Sequence, residues 1–311
     1  MTACYPLRLF ALTIISFSVA GAQAGKSDVC PRDDKDFMAV QQRAGSNDPA
    51  AQMALASCYD LGLHVQPDGK ESIRWITKAG NQGYGPAEYE LGRIYLYGRG
   101  INIDYAQALL WERKAAEQGD PRAQRDLAFM YERGLGVERD AARVAELNRK
   151  AAEKGDPQAQ FHLAQALEDG DGVTKDEQEA KLWYIKAGMQ KVAAAQLRLG
   201  RIYARELPQQ CNKAVEWYGR AAETGDAQAM YELGKLYLDK KCGTEGSEDS
   251  TAYMWLSLGS RFGSSQSKFA ADMLVTALKP VQKRNADAAV ERWMKRYAAA
   301  QKQENEEEEE R

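Results

Sequence analysis

Ala51, Ala87, Ala123, Ala159 and Ala195 recur every thirty-six residues, and each opens nearly the same motif; a sixth copy starts at Ala229, thirty-four residues on. The motif reads A-x-x-x-L-[GA]-x-x-Y-x-x-G, then a glycine-rich link, then a segment ending near W-[YEIL]-x-K-A. Ala123 to Asp140, A-Q-R-D-L-A-F-M-Y-E-R-G-L-G-V-E-R-D, shows its first half. A period of twenty to fifty residues marks units too small to bury a core alone, which become stable only by stacking on their neighbours. The repeat therefore predicts an elongated all-α solenoid.

Projected at 100 degrees per residue, Ala87, Leu91, Ile94, Tyr95 and Gly98 fall on one flank of a first helix. Gly92 lies beside them, and Ala56, Ala128, Ala164, Gly200 and Gly234 repeat its small size, so another helix can approach closely there. Asp120-Pro121 and Asp156-Pro157 combine an N-cap acceptor with a proline suited to the first turn. Gly98, Gly134 and Gly170 mark the helix ends, and Asp104, Asp140 and Asp176 are placed to cap second helices. Those second helices carry Trp75, Trp111, Trp183, Trp217 and Trp255 at one register, with Leu147 in the third copy. Alanine follows four positions later in five copies, from Ala79 to Ala221, so each large side chain stands over a small one and reads as core packing.

Asp36 to Ala44 matches the end of a second helix and leads into Asn47-Asp48-Pro49, a capping half-repeat within residues 25–49. Six full repeats fill 50–263. Ser267 to Lys279 and Pro280 to Gln301 read as two atypical helices sealing the far end, within 264–301. The acidic run in 302–311 reads as a disordered, solvating tail.

This pattern resembles the Sel-1-like repeat family, relatives of the tetratricopeptide repeats, over roughly Asp36 to Gln301. Two departures stand out: Leu167 replaces the first-helix tyrosine in repeat four, and A-R-E-L-P-Q-Q replaces the glycine link in repeat five. The resemblance implies a right-handed superhelical solenoid that works chiefly as a protein-binding scaffold or adaptor. It also brings two alternatives: a periplasmic immunity protein that neutralises a secreted toxin or lipase effector, and a weak penicillin-binding or β-lactamase-like enzyme.

Ahead of the repeats, Arg8, an apolar stretch from Leu9 to Ala20 and Ala22-Gln23-Ala24 form a secretory signal cut after Ala24. A dozen apolar residues fall short of the roughly 20 that a membrane-spanning helix needs, so no stable membrane insertion is expected after cleavage. The expected location is the periplasm of a Gram-negative bacterium. Removing Arg8 takes the formal charge from -3 to -4. The tail from Gln301 holds six Glu against Lys302 and Arg311, which leaves the solenoid near neutral and gives nothing basic to hold nucleic acid.

Four cysteines remain after cleavage, an even number for an oxidising compartment. Cys30 precedes the half-repeat helix and Cys58 takes the buried register of Ile94 and Met130. Cys211 starts the second helix of repeat five, and Cys242 follows the first helix of repeat six. In both cases the start of a second helix meets the later part of the next first helix, which predicts Cys30–Cys58 and Cys211–Cys242.

No metal site, cofactor loop or nucleophile-base arrangement is evident. His64 and His162 stand apart with no cysteine at metal spacing. The flank of the first helix opposite the packing alanine is more informative. It carries Tyr89 and Arg93, then Arg125 and Phe129, Phe161 and Gln165, Leu197 and Arg201, and Tyr231 and Lys235. Aromatics mixed with arginine suit a groove for a protein partner. Neighbouring first helices touch along the same side and could consume the column instead, so both readings stay open.

Overall fold

A computed structural model describes residues 28–206, 208–239 and 248–309. The secretory signal expected at the N-terminus lies outside them. Fifteen helices follow one another among the described residues. The half-repeat is α1 (Asp34–Gly45). First and second helices then alternate through six units: α2 (Pro49–Leu61) and α3 (Gly69–Asn81), α4 (Gly85–Tyr97) and α5 (Tyr105–Glu117), α6 (Pro121–Arg133) and α7 (Ala141–Glu153), α8 (Pro157–Asp169) and α9 (Glu177–Met189), α10 (Ala193–Ala204) and α11 (Cys211–Glu223), α12 (Ala227–Leu238) and α13 (Glu248–Arg261). The far end is closed by α14 (Ser265–Val275) and α15 (Pro280–Glu309).

The caps follow from side-chain chemistry. Asp68, Asp104, Asp140 and Asp176 accept from the first backbone N–H groups of α3, α5, α7 and α9. Asp48, Asp120 and Asp156, each followed by proline, do the same for α2, α6 and α8. The link geometry shows why glycine recurs after the first helix. Gly134 ends α6 in the left-handed region, and Gly136, at φ 69°, rests on the start of the preceding unit's second helix. A Cβ at Gly136 would stand 2.7 Å from the carbonyl oxygen of Tyr105. In repeat five the first helix instead ends on right-handed Arg205, as the missing glycine in A-R-E-L-P-Q-Q foretells, and in repeat six it ends on right-handed Asp239.

The core is continuous between units. Ala51, Ala87, Ala123, Ala159, Ala195 and Ala229 are fully buried, as are the second-helix alanines Ala79, Ala115, Ala151, Ala187 and Ala221. The small register works as expected: a Cβ on Gly92, Gly200 or Gly234 would strike Glu112, Tyr218 or Leu256 of the same unit's second helix. Lys78, Lys114, Lys186 and Arg220 lie over the outer faces of Trp75, Trp111, Trp183 and Trp217, at 3.7, 4.2, 3.6 and 4.8 Å from the rings.

A ladder of side-chain amides ties the units together. Gln52, Gln124, Gln160 and Gln196 donate to backbone carbonyls eight residues earlier, in the preceding second helix. Gln82 and Gln190 donate to Gln52 and Gln160 at 2.8 Å, and Gln118 donates to Glu88 at 2.7 Å. Lys154 takes the same register and donates to the Gly119 carbonyl instead, which leaves Gln124 Oε1 without a donor.

At the N-terminus Cys30 is bonded to Cys58, the expected pair. His64 lies on Phe37, its ring nitrogens 2.8 Å from Asp34 Oδ1 and the Pro31 carbonyl, and Tyr84 donates to Asp28. The half-repeat is thus held covalently and by side chains from two later elements. Cys211 is also disulfide-bonded, and its expected partner, Cys242, lies outside the described residues.

The acidic end differs from the expected disordered tail. Helix α15 runs on to Glu309, and the residues after Tyr297 are exposed up to position 307. Alanine, glutamine and glutamate are strong helix formers, and Lys302–Glu306 and Gln303–Glu307 join successive turns.

A candidate partner-binding column on the first helices

Contacts that skip one helix run between first helices, α4 with α6 and α12 with α14, with α13 to α15 the exception at the end of the array. First helices therefore line the tighter side of the curve. The expected column lies on them, and its two registers behave differently.

The earlier register is largely consumed by packing. Tyr89 is buried beneath the next first helix, where Arg122 covers its ring at 4.3 Å and Asp126 accepts from its hydroxyl at 3.4 Å. Phe161 packs on Tyr184, Leu197 joins the cluster around Ala229 and Met230, and Tyr231 joins that around Ala271 and Leu274. Arg125 is half-buried between Asp126 at 3.3 Å and Asp156 at 2.8 Å. Tyr89 is accordingly a packing residue, not part of an open groove. The following first helix overlies this register at Tyr89, Leu197 and Tyr231, whereas Phe161 is taken up by Tyr184 of its own unit.

The later register faces outward. Phe129 is 37% exposed, Gln165 and Lys235 are exposed, and Arg93 and Arg201 are half-exposed. Arg201 pairs with Glu232 at 3.6 Å. One turn further on lies a third register that the sequence reading missed: Leu61, Tyr97, Arg133, Asp169, Arg205 and Asp239. Leu61 is 61% exposed and Tyr97 52%. Arg93 lies 5.6 Å from the Tyr97 ring, and Arg133 lies 5.6 Å from the Phe129 ring. Four-residue spacing from Arg93 and Phe129 was the available signal. Together the two outer registers form a strip of alternating cationic, aromatic and polar side chains.

Beneath the strip is a sealed acidic layer. Glu112 is fully buried with no hydrogen-bond partner on either oxygen, Asp126 is buried near it, and Glu88 is buried beside Gln118. Burial, reinforced by Asp126 and Asp120, holds the Glu112 carboxyl well above the usual carboxylate range. Burial also raises Asp126, against the pull of Arg125 and Arg93. In repeat four, burial of Glu168 is outweighed by hydrogen bonds from Arg198 and Tyr184, so its carboxyl is lowered.

This architecture defines a class: an α-solenoid of stacked helix pairs with a solvent-facing strip on its inner helices. The Sel1 repeat family matches six consecutive segments, 49–84, 85–120, 121–156, 157–192, 193–226 and 227–261. The chain belongs to the Sel1 repeat family. Its fold is similar to that of c5321, a protective antigen present in uropathogenic Escherichia coli strains, with 32% identity, a TM-score of 0.72 and 85% of this chain covered. The match spans 56% of that longer protein. A Sel1 repeat protein from Oxalobacter formigenes is similar at 29% identity and a TM-score of 0.61, over 72% of this chain and 90% of its own. No curated protein matches the chain in sequence.

Proposed function

We propose that the chain is an exported, non-enzymatic adaptor that holds another protein along the inner strip of its solenoid. The observation that carries this reading is the turn-by-turn exposure of Tyr97, Phe129 and Arg133, with half-exposed Arg93 beside them, a set that aromatic and arginine-rich interfaces use. The carboxylates raised by burial, Glu88, Glu112 and Asp126, are buried side chains, and Glu88 and Asp126 are already engaged by Gln118 and by Arg125 and Tyr89. A buried Cys30–Cys58 bond fits an oxidising compartment such as the periplasm, and no helix among the described residues is long and apolar enough to cross a membrane.

The test is affinity capture from the native envelope fraction with partners identified by mass spectrometry, repeated with Arg93, Phe129 and Arg201 all changed to alanine. Loss of the same partner from the triple variant, with its helical signal intact, is the expected result. Equal capture by the variant would remove the strip from consideration, and turnover of a β-lactam by the pure protein would remove the non-enzymatic reading.

A further inference from the structure

Helix α14 is a first helix with no unit after it. Ser264 takes the capping place of Asp120 and Asp156, which puts Ser267, Ala271 and Leu274 at the registers of Ala123, Leu127 and Met130. All three are buried, so the alignment holds in packing as well as in sequence. The same alignment puts Phe269 at the earlier register of the strip and Met273 at the later one. In the inner units the earlier register is covered by the following first helix, as Tyr89 and Tyr231 show. At α14 nothing follows, because α15 packs on α13. Phe269 is 71% exposed and Met273 64%, one turn apart on one face.

Beside this apolar step runs a charged one of the same length. Lys268 stands where Gln124 lies, a position that inner units turn to the preceding second helix, and Asp272 where Ala128 lies, a position they press against their own second helix. On α14 both are exposed, and neither side chain is paired within the described residues. At the N-terminal end Ala54 and Cys58 on α2 are fully buried and Cys58 is bonded to Cys30, while Val29 and Met38 stay exposed.

We propose that two copies of the chain pair through α14, antiparallel about a two-fold axis. A two-fold lying in the interface and perpendicular to both helices reverses direction while keeping each flank on its own side. Phe269 then meets Met273 of the partner subunit, and on the same flank Lys268 meets Asp272 of the partner subunit. The patch is its own complement in shape and in charge, which is the requirement for a closed isologous dimer. The pairing removes the most exposed large apolar side chain among the described residues from water.

Light scattering coupled to size exclusion, with sedimentation equilibrium from about 1 to 100 µM, reads the assembly directly. The protein is expected to be dimeric, and Phe269→Glu to be monomeric with an unchanged helical signal. Lys268→Glu places two acids opposite each other and weakens the dimer roughly tenfold or more; adding Asp272→Lys restores it, which a merely misfolded variant would not do. Leu182→Glu, on an exposed apolar residue elsewhere, leaves the dimer intact. A monomer across the range, a dimer that survives Phe269→Glu, or a charge swap that fails to restore pairing would each overturn the proposal. So would a monomer in which Phe269→Glu abolishes capture of a different protein.

Discussion

The carboxyl of Glu112 stands directly over Gly92: a Cβ added to that glycine would lie 2.5 Å from Oε1. The acid occupies a register filled elsewhere by Ile76, Asn148, Tyr184, Tyr218 and Leu256, all buried. Folding therefore favours its protonated form, and the folded state holds a proton that the unfolded chain gives up near the ordinary value of 4.5. Stability is full below that value and falls as pH rises toward the raised folded value. Glu112→Gln removes the loss, so its advantage over the parent is smallest at pH 4 and grows by about 1.4 kcal/mol for each pH unit above 4.5 until the raised folded value is reached. Denaturant unfolding of both proteins from pH 4 to 8 measures it, and an advantage that does not change with pH would contradict the buried-acid account.

Gly92→Ala has nowhere to put its methyl without moving Glu112. The expected loss is about 1–3 kcal/mol, typical of overpacking. Shortening the opposing side chain in Gly92→Ala/Glu112→Ala should recover part of it, so that the two changes are non-additive in a thermodynamic cycle. Strict additivity would mean that the two residues do not press on each other.

The Cys30–Cys58 bond spans 28 residues of sequence. Chain entropy assigns such a crosslink about 3.5 kcal/mol. Cys30→Ser should lower the thermal midpoint and speed amide exchange in α1 and the start of α2, leaving α6 to α9 unaffected. Peptide mapping without reduction should recover the 30–58 link and a second link from Cys211 to Cys242; any other connectivity contradicts the pairing.

His64 holds the half-repeat from the link after α2, between Asp34, Pro31 and Phe37, with its own backbone at φ 63°. His64→Ala is expected to raise hydrogen exchange over residues 30–45 while the disulfide still forms. Exchange indistinguishable from the parent would show that the ring contributes nothing to the cap.

Deleting residues 303–311 should leave stability within about 0.5 kcal/mol, because the bonds of Gln303, Glu304, Glu306 and Glu307 among the described residues stay within α15. A larger drop would reveal a contact with the solenoid.

What was legible in the chain was whatever the period carries. Ala123 and its equivalents mark the buried flank, Asp104, Asp140 and Asp176 mark the second helices, and the register of Cys58 selects Cys30 as its partner. The division of the inner column was not legible, because Tyr89 and Arg93 lie on one stripe of one helix. Only the stagger of α6 over α4 makes the first a packing residue and leaves the second at the surface. Glu112 was hidden for a similar reason: a charged residue beside tryptophan reads as solvated until the neighbouring glycine is seen to leave it no exit. The helical course of α15 past Lys302 depended on local propensity outweighing charge repulsion, a balance that a count of glutamates does not settle.

The amide ladder has a consequence for how such a chain can change in length. Each rung joins residues thirty apart, Gln82 to Gln52 and Gln190 to Gln160, and recurs with the period of the whole unit. Adding or removing a complete unit regenerates every rung, whereas an insertion of any other size between the paired residues shifts donors away from acceptors. Growth is thereby quantised. Where the rungs run, a gene encoding this array changes the protein's length without breaking one only in steps of one helix pair; the thirty-four-residue unit that opens at Ala195 lies past the last rung, Gln190 to Gln160.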